Sequence, residues 1–206
     1  MSKVKLIWNT PNLEANIAYI ARVSNPSNQD NPNIEKLLQY MIRNQHWSPF
    51  EMGNICMEIE TTRDIARQIL RHRSFTFQEF SQRYAVAGQM ILSQTRLQDH
   101  TNRQSSLPCE DVTLDLWWHD EQARIMANIA CTYENAITKG IAKEVARKIL
   151  PEGMTMSRMY MNGTLRSWIH YVTLRTDAAT QKEHREVAEQ CKEILVSLCP
   201  TIFKVL

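Results

Sequence analysis

The sequence predicts a single α+β domain, helix-rich, with a small mixed sheet. Three observations point there. Several segments repeat apolar residues at helical spacing, three short segments read as strands, and no repeat, low-complexity tract or linker separates them. A chain of 206 residues buries roughly 70% of its unfolded surface, so residues 1–206 are expected to fold as one domain without a disulfide or metal staple.

Val4 to Trp8 reads as a short strand, and Asn9 to Asn12 as a turn into a helix ending near Arg22. Asn25 to Asn33 is a polar loop with two prolines. Ile34, Leu37, Leu38, Met41 and Ile42 mark one face of the next helix. Ile55, Met57 and Ile59 alternate with Cys56, Glu58 and Glu60, a half-buried strand. Thr62 is expected to cap a helix carrying Ile65, Ala66, Ile69 and Leu70, with Arg71-His72-Arg73 at its C-terminal end. Gln94 to Cys109 is polar and irregular, a loop. Asp111 opens a long helix through Leu114, Trp117, Ile125, Ile129 and Tyr133, stopped by Gly140. A helix over 142–150 ends at Pro151. Met154, Met156, Arg158 and Tyr160 share one face of a strand. Helices over 165–174 and 178–198 complete the chain, the latter stopping before Pro200.

Composition excludes several classes. The net charge is +2, so affinity for nucleic acid or membrane would need a local patch. No apolar run approaches the ~18 residues that span a bilayer, and the N-terminal apolar stretch is too short for a signal peptide. The five cysteines are scattered without a C-x-x-C pair, as in reduced cytoplasmic proteins. The six histidines make no H-E-x-x-H or H-x-x-x-H pair, and no metal is expected. No G-x-S-x-G elbow occurs either. The five glycines form neither a G-x-G-x-x-G turn nor a phosphate-binding loop. A nucleotide would have to be held without a glycine cradle.

The densest feature is the segment 63–83, with five arginines and no lysine against Asp64 and Glu79. Guanidinium forks suit phosphate and carboxylate, and they stack on flat rings. A solvated helix end whose arginines satisfy terminal carbonyls is the plain alternative. Arginines interleaved with Phe75, Phe77, Phe80 and Tyr84 would also suit stacking on single-stranded nucleic acid. Two further constellations are His46-Trp47-Ser48-Pro49-Phe50-Glu51 and the C-terminal set Arg147, Arg166, His170 and Arg175. Arg166 and His170 share a helical face, while Trp168 and Ile169 face the core.

Arg71-His72-Arg73, followed after seven residues by Ser81, is an R-H-R-x7-S signature. Ala21-Arg22-Val23-Ser24, His46-x-Ser48-Pro49-Phe50-Glu51, Glu144-Val145-Ala146-Arg147, Leu165-Arg166-Ser167 and Leu174-Arg175-x-Asp177-Ala178-x-x-Gln181 accompany it in order. With these blocks the chain resembles the flavin-dependent thymidylate synthase family nearly end to end. The resemblance implies a fold of the thymidylate synthase-complementing protein type and reductive methylation of dUMP to dTMP. Methylenetetrahydrofolate would give the carbon and NADPH the reducing equivalents, through FAD, without a cysteine nucleophile. It further implies a homotetramer with sites shared between subunits, acting on small molecules and not on nucleic acid or membrane.

Carried over by position, the resemblance assigns Gln68, Arg71, Glu79, Ser81, Gln82, Arg83, Arg147 and Arg175 to dUMP, with Ser81, Arg83 and Arg147 at the phosphate. Arg175 and His46 are the catalytic pair, Arg175 at the uracil ring. Ser24, His46, Ser48, Arg71, His72, Arg73, Gln78, Glu79, Thr164, Arg166 and His170 form the FAD set. Ser81 is expected to bind rather than attack, because no base is dedicated to it.

Overall fold

Strand β2 (Asn54–Thr62) organises the fold, because it is paired along both edges. The computed structural model describes residues 2–206. On one edge β2 meets β1 (Lys3–Asn9), and on the other β6 (Met156–Thr164), whose far edge carries β3 (Thr76–Glu79). Every pairing is antiparallel. Register places Met57 opposite Met161 and Ile59 opposite Met159. With Ile55 these side chains line one buried face.

Three helices cover that face: α3 (Arg63–Ile69), α6 (Leu165–Arg175) and α7 (Lys182–Leu198). They contribute Ile65, Ile69, Trp168, Tyr171, Val187 and Leu195, all fully buried. The indole Nε1 of Trp168 donates to the Ile55 carbonyl at 3.0 Å, tying α6 to the central strand without an orphaned donor. Helices α1 (Leu13–Ala21) and α2 (Glu35–Arg43) extend the same core through Leu13, Ile17, Leu38 and Met41.

Helix α4 (Val112–Thr138) is different: of its 27 residues only Gln122 and Tyr133 are buried. Both act as polar clamps on the segment before it. Gln122 bonds the backbone and hydroxyl of Ser93, and the Tyr133 hydroxyl accepts from the Ala87 amide at 2.9 Å. Helix α4 then packs on the one-turn α5 (Lys143–Ala146). Its ends follow the sequence reading. Asp111 accepts the amides of Thr113 and Leu114, and Gly140 takes the left-handed conformation, φ +81°, that ends a helix.

The helix-rich α+β architecture is the one expected, but several details differ. The main sheet is antiparallel rather than mixed, since spacing alone carries no strand direction when helices separate consecutive strands. Strand β3 was not expected, its four residues being too few to show an alternation. The expected loop over 94–109 contains a hairpin, β4 (Arg96–Gln98) with β5 (Ser106–Pro108), built from polar residues that give no apolar period. Thr62 sits at the N-cap without a side-chain bond. The amides of Arg63 and Asp64 are taken instead by the carbonyls of Thr155 (3.0 Å) and Glu152 (3.3 Å). The helix expected over 142–150 is α5 followed by a 3-10 turn, Arg147–Ile149. Helix α7 starts at Lys182 rather than Ala178, because the Asp177 carboxylate captures the Ala179 amide at 2.8 Å in a local turn. Met154 lies two residues before β6, so the expected row begins on the strand only at Met156, and a short α8 (Pro200–Phe203) follows Cys199.

Gly163, on β6, lies directly beneath Phe75, and a Cβ there would collide with the Phe75 ring. That ring is pinned edge-on against Trp168, with centroids 4.9 Å apart. Gly163→Ala is expected to destabilise the protein by about 1–3 kcal/mol, the usual cost of overpacking a filled core. Urea unfolding measures it, and an unchanged midpoint would show that Phe75 yields freely.

Candidate active site

The arginine-rich signature begins where α3 runs out. The amides of Arg71 and His72 bond back to the carbonyls of Gln68 and Ile69, and the Phe75 amide to that of His72. This tight turn turns Phe75 into the core and leaves Arg71 and Arg73 exposed, with His72 half-buried between them. From the end of α6, Arg175 Nε donates to His72 Nε2 at 3.0 Å. The imidazole also meets the Tyr171 ring edge-on, centroids 5.0 Å apart. Burial first, and the Arg175 charge second, hold His72 down at about 4, so it is neutral near pH 7.

Beneath this pair lies a residue that sequence reasoning missed. His184 on α7 is fully buried. Its Nδ1 is 3.2 Å from Gln68 Oε1, and its Nε2 is 3.2 Å from the Tyr171 hydroxyl. Burial, then Arg175 and His72, hold it too at about 4. The signal was available: His184, Val187, Ala188, Cys191 and Leu195 form one helical stripe, and His184 is its only ring with titrating nitrogens. Gln68 in turn donates to Gln181 Oε1 at 2.7 Å. Gln68, His170, Arg175, Asp177, Gln181 and Gln104 line a cavity of about 770 Å³. It brings together expected dUMP contacts (Gln68, Arg175) and an expected FAD contact (His170).

The rest of the expected nucleotide set lies elsewhere, at the β3 edge and α5. Glu79 accepts from Ser157 Oγ at 2.9 Å and faces Arg63 at 3.5 Å. Ser81 Oγ accepts the Arg83 amide at 3.4 Å, and the Arg83 guanidinium stands 3.8 Å from Glu144 of α5, one turn before Arg147. Gln82 is buried, yet its Nε2 donor has no partner among the described residues. None of Ser81, Arg83 and Arg147 lines the 770 Å³ cavity, so the expected dUMP residues stand in two separate regions of the chain.

The expected FAD residues spread over both regions and a third. Arg166 is ion-paired with Glu51, and one turn on, His170 packs against Trp47 with ring centroids 4.8 Å apart. His46 and Ser48 are exposed on the turn joining α2 to β2, and Gln78 is exposed on β3. Ser24 lines a separate cavity of about 470 Å³, where Arg22 gathers a loop by donating to the carbonyls of Asn31 (2.5 Å) and Asn33 (2.8 Å). Thr164 caps α6, accepting the Ser167 amide at 3.3 Å.

Charge distribution indicates what these groups can hold. Seven arginines pair with carboxylates, and eight have no acidic partner among the described residues; Arg71, Arg73, Arg147 and Arg175, all in the expected ligand sets, are four of the eight, with Arg22, Arg43, Arg103 and Arg158 the others. Four guanidinium forks without carboxylates, together with the orphaned Gln82 amide, fit a ligand rich in phosphate and carbonyl oxygen. A nucleotide and a flavin dinucleotide both meet that description. No helix among the described residues is long and apolar enough to cross a membrane.

Residues 5–201 match the family described as thymidylate synthase complementing protein. The chain is 53% identical over 189 residues to a flavin-dependent thymidylate synthase of Synechocystis sp., covering 92% of this chain and 87% of that one. It is 51% identical over 192 residues to a protein of Paramecium bursaria Chlorella virus 1 named as a probable flavin-dependent thymidylate synthase, covering 92% and 88%. Among solved structures it is similar to the UMP/dUMP methylase PolB from Streptomyces cacaoi bound with 5-Br dUMP. That likeness has a TM-score of 0.86 at 25% identity and covers 100% of this chain and 94% of the other.

The buried His184 and the half-buried His72 make stability depend on pH. Each is held at about 4 in the fold against an ordinary 6.5. Between those values the unfolded chain binds more protons, so stability rises with pH and is lost as pH falls from about 6.5 toward about 4. Urea titrations across that window are expected to show the slope, and His184→Phe to flatten it by up to one proton, about 1.4 kcal/mol per pH unit. A slope unchanged in the variant would show that His184 does not titrate with unfolding.

Proposed function

The chain belongs to the thymidylate synthase complementing protein family, and we propose that its two half-sites join across subunits to form the active site. The protein is a flavin-dependent thymidylate synthase, an enzyme that reductively methylates dUMP to dTMP. Methylenetetrahydrofolate is the carbon donor and NADPH the reductant. Bound FAD supplies the hydride chemistry, and the protein positions rings and neutralises charge. The observation that supports the site assignment is that four of the eight arginines without acidic partners, Arg71, Arg73, Arg147 and Arg175, stand at the R-H-R turn, the end of α6 and the turn after α5.

At one half-site, Ser81, Arg83 and Arg147 bind the dUMP phosphate, and the unpartnered Gln82 amide donates to a nucleotide oxygen. At the other, Arg175 lies against the uracil ring. Its Nε is committed to neutral His72, which leaves the terminal nitrogens for a ligand in the cavity that Arg175 lines. They stabilise negative charge that develops on the ring as C5 becomes nucleophilic. A neutral His72 supports this role, since an imidazolium would repel the guanidinium it orients. Arg71, Arg73, Arg166, His170, His46 and Ser48 hold FAD with His72, Glu79, Gln78, Ser24 and Thr164.

Thiolate attack on the ring has no candidate at either half-site. Cys56, Cys191 and Cys199 are buried, and burial pushes their thiols up, Cys199 to about 12. Cys131 lies on α4, and Cys109 precedes it in the polar segment. The unpaired thiols also support a cytoplasmic setting. The nucleic-acid reading loses its stacking platform: Phe75 is buried, Phe77 and Phe80 are half-buried, and only Tyr84 of the four rings is exposed.

A homotetramer is supported by α4 as well as by the divided site. Leu116, Trp117, Trp118 and Ile125 stand exposed on that helix, an apolar surface suited to a second copy. The purified protein is expected to be yellow, to elute near four times the chain mass, and to form dTMP from dUMP with NADPH and methylenetetrahydrofolate. A colourless monomer that ignores added FAD and NADPH would sink the reading.

Site sharing has its own test. Arg175→Ala and Arg147→Ala each remove one half-site, and each variant alone is expected to be inactive. Co-expressed in equal amounts, the two chains are expected to recover about a quarter of wild-type activity, since random assembly pairs intact halves at about one site in four. Hybrid tetramers verified by mass spectrometry but without recovery would place both halves in one chain.

A further inference from the structure

His184 is a costly residue for its position. The rest of its stripe (Val187, Ala188, Cys191, Leu195) is apolar, and all of it is fully buried. An imidazole there loses its water entirely, and is tolerated only with both ring nitrogens satisfied. Both are, by two different kinds of partner.

The partners decide the protons. Gln68 Oε1 only accepts, so His184 Nδ1 carries the hydrogen and donates to it. A neutral ring then has a bare Nε2, which accepts from the Tyr171 hydroxyl. Tyr171 is itself buried, and no other hydrogen-bond partner of its hydroxyl occurs among the described residues. With Oε1 held inward, the Gln68 amide faces outward, and one of its hydrogens is used by Gln181 Oε1 at 2.7 Å. The second hydrogen is left for the 770 Å³ cavity that Gln68 lines beside Arg175.

We propose that His184, with Tyr171, is a positioning residue that fixes the polarity of the Gln68 carboxamide, so that Gln68 offers the nucleotide a donor and never an acceptor. The ligand group it recognises is therefore an oxygen, carbonyl, hydroxyl or phosphate. Without the relay the amide is held from one side only, by Gln181 Oε1, which Glu183 orients through the Gln181 amide, and each turn of Gln68 away from that contact sets a carbonyl against the ligand oxygen. This rests on the reading of Gln68 as a dUMP contact.

The test is a cycle of variants on the flavin-loaded enzyme, with dUMP binding measured by calorimetry, FAD binding by absorbance, and kcat by dTMP formation. Gln68→Ala and His184→Phe are each expected to raise the dUMP Kd about 3- to 10-fold, the worth of one neutral hydrogen bond, with FAD affinity unchanged. The double variant is expected to bind no worse than Gln68→Ala alone, because His184 acts only through Gln68. Tyr171→Phe removes one hydroxyl, and is expected to raise the Kd by about 3-fold; it serves alone if His184→Phe does not fold. His184→Asn, whose amide sets an N–H near the position of Nδ1, is expected to recover most of the affinity. Unchanged dUMP binding in folded, yellow His184→Phe or Tyr171→Phe protein would overturn the proposal. Additive losses in the double variant would do the same. A wild-type protein that forms no dTMP would instead overturn the assigned activity, a separate outcome.

Discussion

The antiparallel pairing of β2 with β6 is the constraint from which the site follows. Each strand passes into a helix with no intervening loop, at Thr62 into α3 and at Thr164 into α6. Register sets Asn54 opposite Thr164 and Thr62 opposite Met156, so the helices start from opposite ends of the pair. The pair is about 30 Å long at ~3.3 Å per residue. Helix α3 spans about 10 Å and α6 about 16 Å at ~1.5 Å per residue. Two helices of those lengths, folded back along one face, nearly meet end to end. His72 from the end of α3 and Arg175 from the end of α6 are in hydrogen-bond contact for that reason. A one-residue slip of the pair would turn Met159 and Met161 out of the core and part the two helix ends.

Where the helix ends meet, the difficulty is charge. Arg175 meets His72 directly, with His184 beneath and Arg71 and Arg73 flanking His72 in the chain, and protonated imidazoles would add to the positive charge there. The fold resolves this by burying the rings. His72 and His184 are both held at about 4, with desolvation the first cause and Arg175 the second. The guanidinium charges are thereby kept for anionic ligands, while the imidazoles serve as neutral hydrogen-bonding groups of fixed polarity. Burial thus does more here than stabilise a core, since it selects the protonation states that the nearby chemistry requires.

Much of the frame was legible in the amino-acid pattern, for physical reasons that also mark where legibility ends. Helices with a wet and a dry face announced themselves by period, as α2 did through Leu38, Met41 and Ile42, and capping chemistry located both ends of α4. Strand direction was not legible, and neither was the β4–β5 hairpin, whose exposed residues bury nothing and so leave no apolar rhythm. The R-H-R turn was conspicuous because five arginines stand together. His184 was not, since its partners Gln68 and Tyr171 lie 116 and 13 residues away, and only the fold brings them within 3.2 Å. A buried polar network is written in pairs, and a single position read alone shows only half of a pair.

On the proposed reading, the absence of a glycine-rich cradle and the division of the site have a common origin. A glycine loop binds phosphate with consecutive backbone amides, all supplied by one turn of one chain. Guanidinium forks on long side chains need no such turn, and they can stand on elements that one chain keeps apart. Here they stand at the α3–α6 junction and at the β3 edge with α5. Neither half encloses a nucleotide alone: the cavity beside Arg175 lacks Arg147, Arg83 and Ser81. The 27-residue α4, buried at only two positions, adjoins the second half through α5 and exposes Trp117 and Trp118 to the outside. On the proposed reading, covering those indoles and completing the site are one event. Association would then be a condition of nucleotide binding, and the apolar area that drives it would also set how closely Arg147 approaches the Arg175 of a neighbouring copy.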